Sequence, residues 1–223
     1  GKSQASGCTS WGILSVTAVD LLPIYEGSGT SNAEWEGKPA DFRLQMRIGA
    51  VDFDFLETFE LEMVQGRFFS QEVTTDASEG FVLNESAIKA MGIKDPIGKR
   101  FGWKDRQGRI IGIIQDYQLR TLHHEVEPLA LFMDRDWLAF LCIKLAAGDV
   151  PKTLALLKDT WEKYSPRDPF QFRFFENDIE ALYRSEERIG SLFKYFTLLA
   201  LFISSLGLFG LASYLVEQRT KEI

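Results

Sequence analysis

Charged residues are frequent up to Lys194, absent from the 22 residues 195–216, and present again from Glu217. At about 1.5 Å per residue such a run makes a helix of roughly 33 Å, close to the ~30 Å hydrocarbon core of a bilayer. A buried helix of this length in a water-soluble protein would show a polar side. Apart from tyrosine, only Thr197, Ser204, Ser205 and Ser213 carry hydroxyls here, and these can bond back to their own helix. The pattern predicts a transmembrane helix over 195–216. On a helical projection Ala200, Ser204, Gly207 and Gly210 share about a third of the circumference, a small-residue face suited to packing against another membrane helix.

The approach to this span, "RFFENDIEALYRSEERIGSLFK", has no Pro or Gly cluster. Asn177 with Glu180 makes a capping-box-like start, Glu180 and Arg184 form an i,i+4 pair, and Ile179, Leu182, Ile189, Phe193 and Phe196 mark a narrow apolar stripe. One continuous helix over about 178–220 is expected, with a stalk at 177–194, the span at 195–216, and 217–223 emerging beyond it. Arg184, Arg188 and Lys194 on one side balance Arg219 and Lys221 on the other, so the positive-inside count leaves the orientation open.

Residues 1–176 alternate between the strand and helix periods. "WLAFLCIKLAAGDVPKTLALLKDTWEKYSPRDPFQFRFF" reads strand, helix, strand: an apolar run, a helix opened by Asp149-Val150-Pro151 with Leu154, Leu157 and Trp161 on one face, and an alternating run at 170–174. This predicts a split βαβ-like unit. "FRLQMRIGAVDFDFLETFELEMVQGRFF" predicts a strand and then a short helix with Asp52 or Asp54 near its start and Gly66 as its stop. In "GFVLNESAIKAMGIKDPIGKRFGWKDRQGRIIGIIQDY" a strand meets a helix capped by Asn84 and stopped by Gly92. Strands at 99–103 and 109–114 follow, joined by the polar turn "KDRQG". The polar, glycine-rich stretch 26–41 predicts a loop with one short edge strand. The class that results is α+β.

The 223 residues carry 25 Lys and Arg against 32 Asp and Glu, a formal charge of −7 without a basic stripe, which argues against nucleic acid. Cys8 and Cys142 lie far apart, fitting neither a metal cluster nor a disulfide scaffold. "ASGC" at 5–8 is faintly similar to a lipoprotein cleavage box, but no apolar segment precedes it, so a plain cysteine is expected. The opening "GKS" lacks the preceding glycine and strand of a Walker loop. A first residue that is not Met leads us to expect a piece of a longer polypeptide.

Candidate chemistry is sparse. "LHHEVE" gathers His123, His124, Glu125 and Glu127, yet adjacent histidines point apart on either a helix or a strand, and zinc pairs on helices need i,i+4 spacing. A solvated turn is the expectation. With only these two histidines and no G-x-S-x-G elbow, Ser-His-Asp catalysis has no support. Asp52, Asp54, Glu57, Glu60 and Glu62 crowd a helix start, which solvation and helix-terminus electrostatics explain without acid and base catalysis. No catalytic, cofactor-binding or metal-binding residue is therefore assigned, and the chain is not expected to be an enzyme.

Three segments together resemble one family, the extracytoplasmic core domain of MacB-type and FtsX-like ABC transporter permeases. "FVLNESAIKAMGIKDPIGKRF" resembles its asparagine-glutamate helix followed by a glycine and a Pro-Ile-Gly turn. "GRIIGIIQDYQLRTLHHEVEPLALF" resembles its V-I-G-V-V-x-D-F strand, short connection and proline-led strand. "YFTLLALFISSLGLFGLASYLVEQRTKEI" is similar to the second transmembrane helix of each permease unit, and is the most specific of the three. The likeness runs from about Ile13 to Ile223, while 1–12 match nothing in it.

The resemblance implies a two-lobed α+β core, a porter-like βαβ lobe with an inserted lobe, ending in a stalk and transmembrane helix. It implies a bacterial inner-membrane protein with its soluble domain in the periplasm, a first membrane helix upstream of Gly1, and Arg219, Lys221 and Glu222 in a cytoplasmic coupling segment. Its implied partners are the membrane, a second permease unit in a homodimer or pseudo-dimer, and an ABC ATPase. ATP would bind that separate subunit or domain, and some members also use a periplasmic adaptor. The function implied is non-catalytic coupling of cytoplasmic ATP hydrolysis to extracytoplasmic conformational change, for export or extraction of a substrate that the sequence does not identify. The alternative is a tail-anchored extracytoplasmic binding or adaptor protein. A chain end inside the family's motif fits a fragment better than a tail anchor. A membrane-tethered hydrolase lacks a nucleophile and base.

Overall fold

The structure, a computed structural model, describes residues 12–20, 22, 32–117, 126–175, 193–208 and 210. They fall into two compact units, residues 1–171 and 172–223.

The described part of the first unit contains strands β1 (Ile13–Val19), β2 (Ala33–Trp35), β3 (Arg47–Ala50), β4 (Met63–Gly66), β5 (Gly80–Asn84), β6 (Arg100–Trp103), β7 (Arg106–Ile114), β8 (Leu129–Phe132) and β9 (Phe140–Leu145). Its helices are α1 (Phe55–Phe59), α2 (Asp76–Glu79), α3 (Glu85–Met91) and α4 (Val150–Tyr164). Seven strands form a mixed sheet in the order β2-β6-β7-β5-β8-β3, with β4 beside β7, and β1 and β9 form an antiparallel ribbon. The α+β class expected from the sequence is the class observed.

The centre of the large sheet follows from composition. β5 and β8 are apolar runs buried at every position, as strands covered on both faces must be. Alternation along β5 then divides the core. Phe81 and Leu83 join Trp35, Phe101, Trp103, Ile110, Phe132 and the α3 residues Ala87 and Met91. Val82 joins Ile114, Leu129, Leu131, Phe55 of α1 and Val19 of β1, against which Cys142 of β9 packs.

Several local expectations hold. Asn84 caps α3 by accepting from the Ala87 amide, and Gly92 ends it in the left-handed region at φ 65°. Asp149 caps α4, with Pro151 in its first turn. β2 is a three-residue strand at the sheet edge, paired to β6. The β6 to β7 turn is tighter than "KDRQG" suggests, because Trp103 already pairs with Arg106.

Two expectations are corrected. Gly66 does not stop a helix: α1 ends at Phe59, where Glu60 takes the left-handed conformation at φ 54°, and Gly66 closes β4. Its lack of a side chain serves close approach, since a Cβ there would lie 2.4 Å from the Ile111 carbonyl oxygen. The alternating run at 170–174 is not a strand. The Phe170 ring packs on Trp161, and Phe172 meets Phe174 edge to face at 5.5 Å, so these aromatics pair locally instead of lining one side of a hydrogen-bonded strand. The split βαβ unit is thus present only as β9 and α4.

Candidate functional site

In the second unit residues 193–208 and residue 210 are helical, and every one of them is exposed. The exposure is apolar on all sides: Tyr195 is 74 %, Leu198 71 % and Leu208 71 % open. Thr197 and Ser205 donate their hydroxyls to the Phe193 and Leu201 carbonyl oxygens, both at 2.8 Å, so these polar groups are satisfied within the helix. Ala200, Ser204, Gly207 and Gly210 lie on this exposed surface, and a Cβ added at Gly207 or Gly210 would meet nothing within 4 Å. Among the described residues no helix is long and apolar enough to cross a membrane. The remainder of 195–216, most of the stalk, and Arg219, Lys221 and Glu222 lie outside the described residues.

In the first unit the two stretches that carry the family resemblance interlock. Asn84 sits at the end of a strand with 1 % exposure, and its side chain makes three bonds at once. Its Oδ1 accepts from the amides of Ala87 at 3.0 Å and Leu129 at 2.8 Å, and its Nδ2 donates to the Glu127 carbonyl oxygen at 3.0 Å. Beyond β7, Asp116 accepts from the Ser86 amide at 2.9 Å and hydroxyl at 2.6 Å, while Glu85 accepts from the Asp116 amide at 3.2 Å. This pins α3 between the ends of β7 and β8. The arrangement is a structural clamp: its donors and acceptors are turned toward one another.

A second buried polar group lies near α2. Asp76, with a 3 % exposed side chain, takes both arms of Arg67 at 2.5 and 2.7 Å and the Ser70 amide at 3.0 Å. Burial alone would push its carboxyl up, but the Arg67 hydrogen bonds, the Ser70 amide and the Arg67 charge hold it below the usual carboxylate range. Nothing in the sequence signals this pair, because the two residues stand nine apart, at neither a helical nor a local turn spacing. Arg47, buried in β3, pairs with Glu127 at 2.7 Å.

The carboxylates at α1 do not form a matched acid and base. Asp54 is raised by burial and by the charges of Asp52 and Glu57, whereas Glu60 is lowered by its hydrogen bond and ion pair with Lys144 of β9. Among the described residues no group of three or more His, Cys, Asp or Glu could hold a metal ion. His123, His124 and Glu125 lie outside them.

Burial pushes the Cys142 thiol up to about 11, so almost none of it is thiolate near neutrality. In a Cys8→Ser background, alkylation of Cys142 at pH 8 is expected to be about 100-fold slower in the native chain than after unfolding. Equal rates would contradict the packing of Cys142 against the second core cluster.

Residues 14–154, well over half of the chain, match the model of the MacB-like periplasmic core domain. No curated protein matches the chain. Twenty-two solved chains do. The periplasmic region of MacB from Actinobacillus actinomycetemcomitans is 18% identical, with 71% of this chain and 72% of that one covered and a TM-score of 0.49. A domain of a permease protein from Porphyromonas gingivalis is 19% identical over 74% of this chain and 82% of that one, at 0.49. The extracellular domain of the noncanonic ABC-type transporter YknZ from Gram-positive bacteria is 13% identical over 71% and 82%, at 0.48. The family match runs from the second residue of β1 into α4 and takes in both sheets and the Asn84 clamp: this chain belongs to the family of MacB-like periplasmic core domains.

Proposed function

We propose that the chain is the extracytoplasmic core and following membrane segment of an ABC transporter permease, and that it performs no chemistry of its own. The observation that carries this reading is a family match over 14–154 on the same chain as an apolar helix exposed on all sides at 193–208. Such a surface is costly in water and at home in lipid. The small-residue face at Ala200, Ser204, Gly207 and Gly210 would pack on a neighbouring membrane helix, of this permease or a second unit. Arg219, Lys221 and Glu222 would meet the cytoplasmic coupling partner, and ATP would be bound and hydrolysed by a separate ATPase. The soluble domain would lie in the periplasm and convert that hydrolysis into movement of a substrate.

Two measurements test the proposal. Membranes carrying the chain should retain it through an alkaline carbonate wash; quantitative release would remove the membrane segment from the reading. The purified chain should hydrolyse no ATP, and a partner isolated with it in mild detergent should hydrolyse ATP in a Walker-loop-dependent way. Hydrolysis by the chain alone would contradict the division of labour. Retention without any such partner would favour the tail-anchored adaptor instead.

A further inference from the structure

β1 and β9 carry the chain into and out of the seven-stranded sheet, and three kinds of contact join this ribbon to it. The first is backbone. Val19 pairs with Val51 in a single antiparallel bridge, flanked by Asp20 N to Ala50 O at 2.9 Å and Asp52 N to Ala18 O at 3.0 Å. The Ala139 amide donates to the Val19 carbonyl at 3.1 Å, which sets the exit from the sheet beside the entrance. The second is apolar packing: Val19, Val82 and Ile114 are each 0 % exposed within one cluster, shared with Phe55 and Leu129 and flanked by Cys142. The third is the ion pair between Lys144 of β9 and Glu60 at the end of α1.

A hinge between lobes needs a thin, hydrated seam whose contacts are cheap to break. Here the seam is the buried end of β1: Val19 belongs to the second core and Cys142 of β9 packs against it. Any rotation of ribbon against sheet would part Val19 from Val51 and open the packing around Phe55, a discrete loss and not a gradual one. We infer that the ribbon and the seven-stranded sheet are one mechanical body, so that displacement delivered to β1 or β9 moves the whole sheet with no hinge at the crossing. Its bearing on transport rests on the proposed function; the mechanical unity does not.

The test uses the full chain in detergent micelles with Cys8→Ser, Trp11→Phe and Trp161→Phe. Cys142 then reports on the ribbon, and Trp35, Trp103 and Trp137 report on the far face of the sheet. In a urea titration the alkylation rate of Cys142 and the tryptophan fluorescence are expected to change over the same concentrations. Phe55→Ala should lower both midpoints equally, by on the order of 1 M. A tenfold or greater rise in Cys142 reactivity at urea concentrations where fluorescence is still native would overturn the inference, as would a Phe55→Ala shift in only one curve. Should Phe55→Ala fail to fold, the comparison in the unsubstituted background decides alone. Release of the chain by carbonate would sink the transport reading and leave this result standing.

Discussion

Replacing Arg67 by methionine will destabilise the domain by about 2–3 kcal/mol at pH 7. Removing one partner of a buried ion pair costs roughly 3–5 kcal/mol, and the expectation lies below that range because Arg67 itself is half open to water. The loss is electrostatic, since methionine retains much of the apolar stem and leaves Asp76 with only the Ser70 amide. Its pH dependence separates it from a packing defect. In the parent chain the Asp76 carboxyl is depressed, so its contribution is fully present above the unfolded value near 4 and is lost as pH falls through the lower folded value. In the variant, burial without the guanidinium raises the carboxyl, which takes up a proton at higher pH and so escapes the penalty. The stability gap should therefore be widest near pH 7 and close toward pH 3. Urea titrations at pH 7, 5 and 3 measure it, and a gap independent of pH would show that Arg67 acts through packing alone.

Asn84→Ala is expected to cost about 3 kcal/mol. The substitution removes the cap of α3, worth about 1 kcal/mol, and leaves the buried Leu129 amide and the Glu127 carbonyl without Asn84, at roughly 1 kcal/mol each or more. Asn84→Asp separates the contributions. It keeps both accepted bonds but turns a carboxylate oxygen toward the Glu127 carbonyl, so its stability should fall between those of the parent and Asn84→Ala at neutral pH and approach the parent as the carboxyl protonates. Thermal melts of the three proteins give the comparison. A loss below about 0.5 kcal/mol for Asn84→Ala would mean that β8 and α3 hold their places without this side chain.

The clamp shows how far the sequence could be read. Asn84 as a cap, Gly92 as a stop and Asp149-Val150-Pro151 as a start were all legible, because capping depends on residues three or four apart. That Asn84 also reaches Leu129 and Glu127 was not, since those bonds span 45 and 43 residues and depend on β5 lying beside β8. α1 was misjudged for a related reason. Its stop, Glu60, is a residue type that seldom takes positive φ, so the next glycine looked like the better terminator. β4 and α2, four residues each, are too short to show a period, and the Arg67 to Asp76 pair that fixes them leaves no local pattern. Of the candidate surface, composition alone made the apolar helix visible, and the small-residue face can be followed as far as Gly210.

The single Val19 to Val51 bridge has a second consequence, for the protein's behaviour toward copies of itself. β3 is the last strand of the seven-stranded order, and an outermost strand presents unpaired amides and carbonyls that can recruit a strand from another molecule. The end of β1 occupies that position at Val51, and Asp20 and Asp52 set a carboxylate on each side of the joint. Charge flanking a covered edge discourages strand-by-strand growth. The crossing where the chain enters its large sheet thereby also blocks the β3 edge at Val51 to a strand from another molecule.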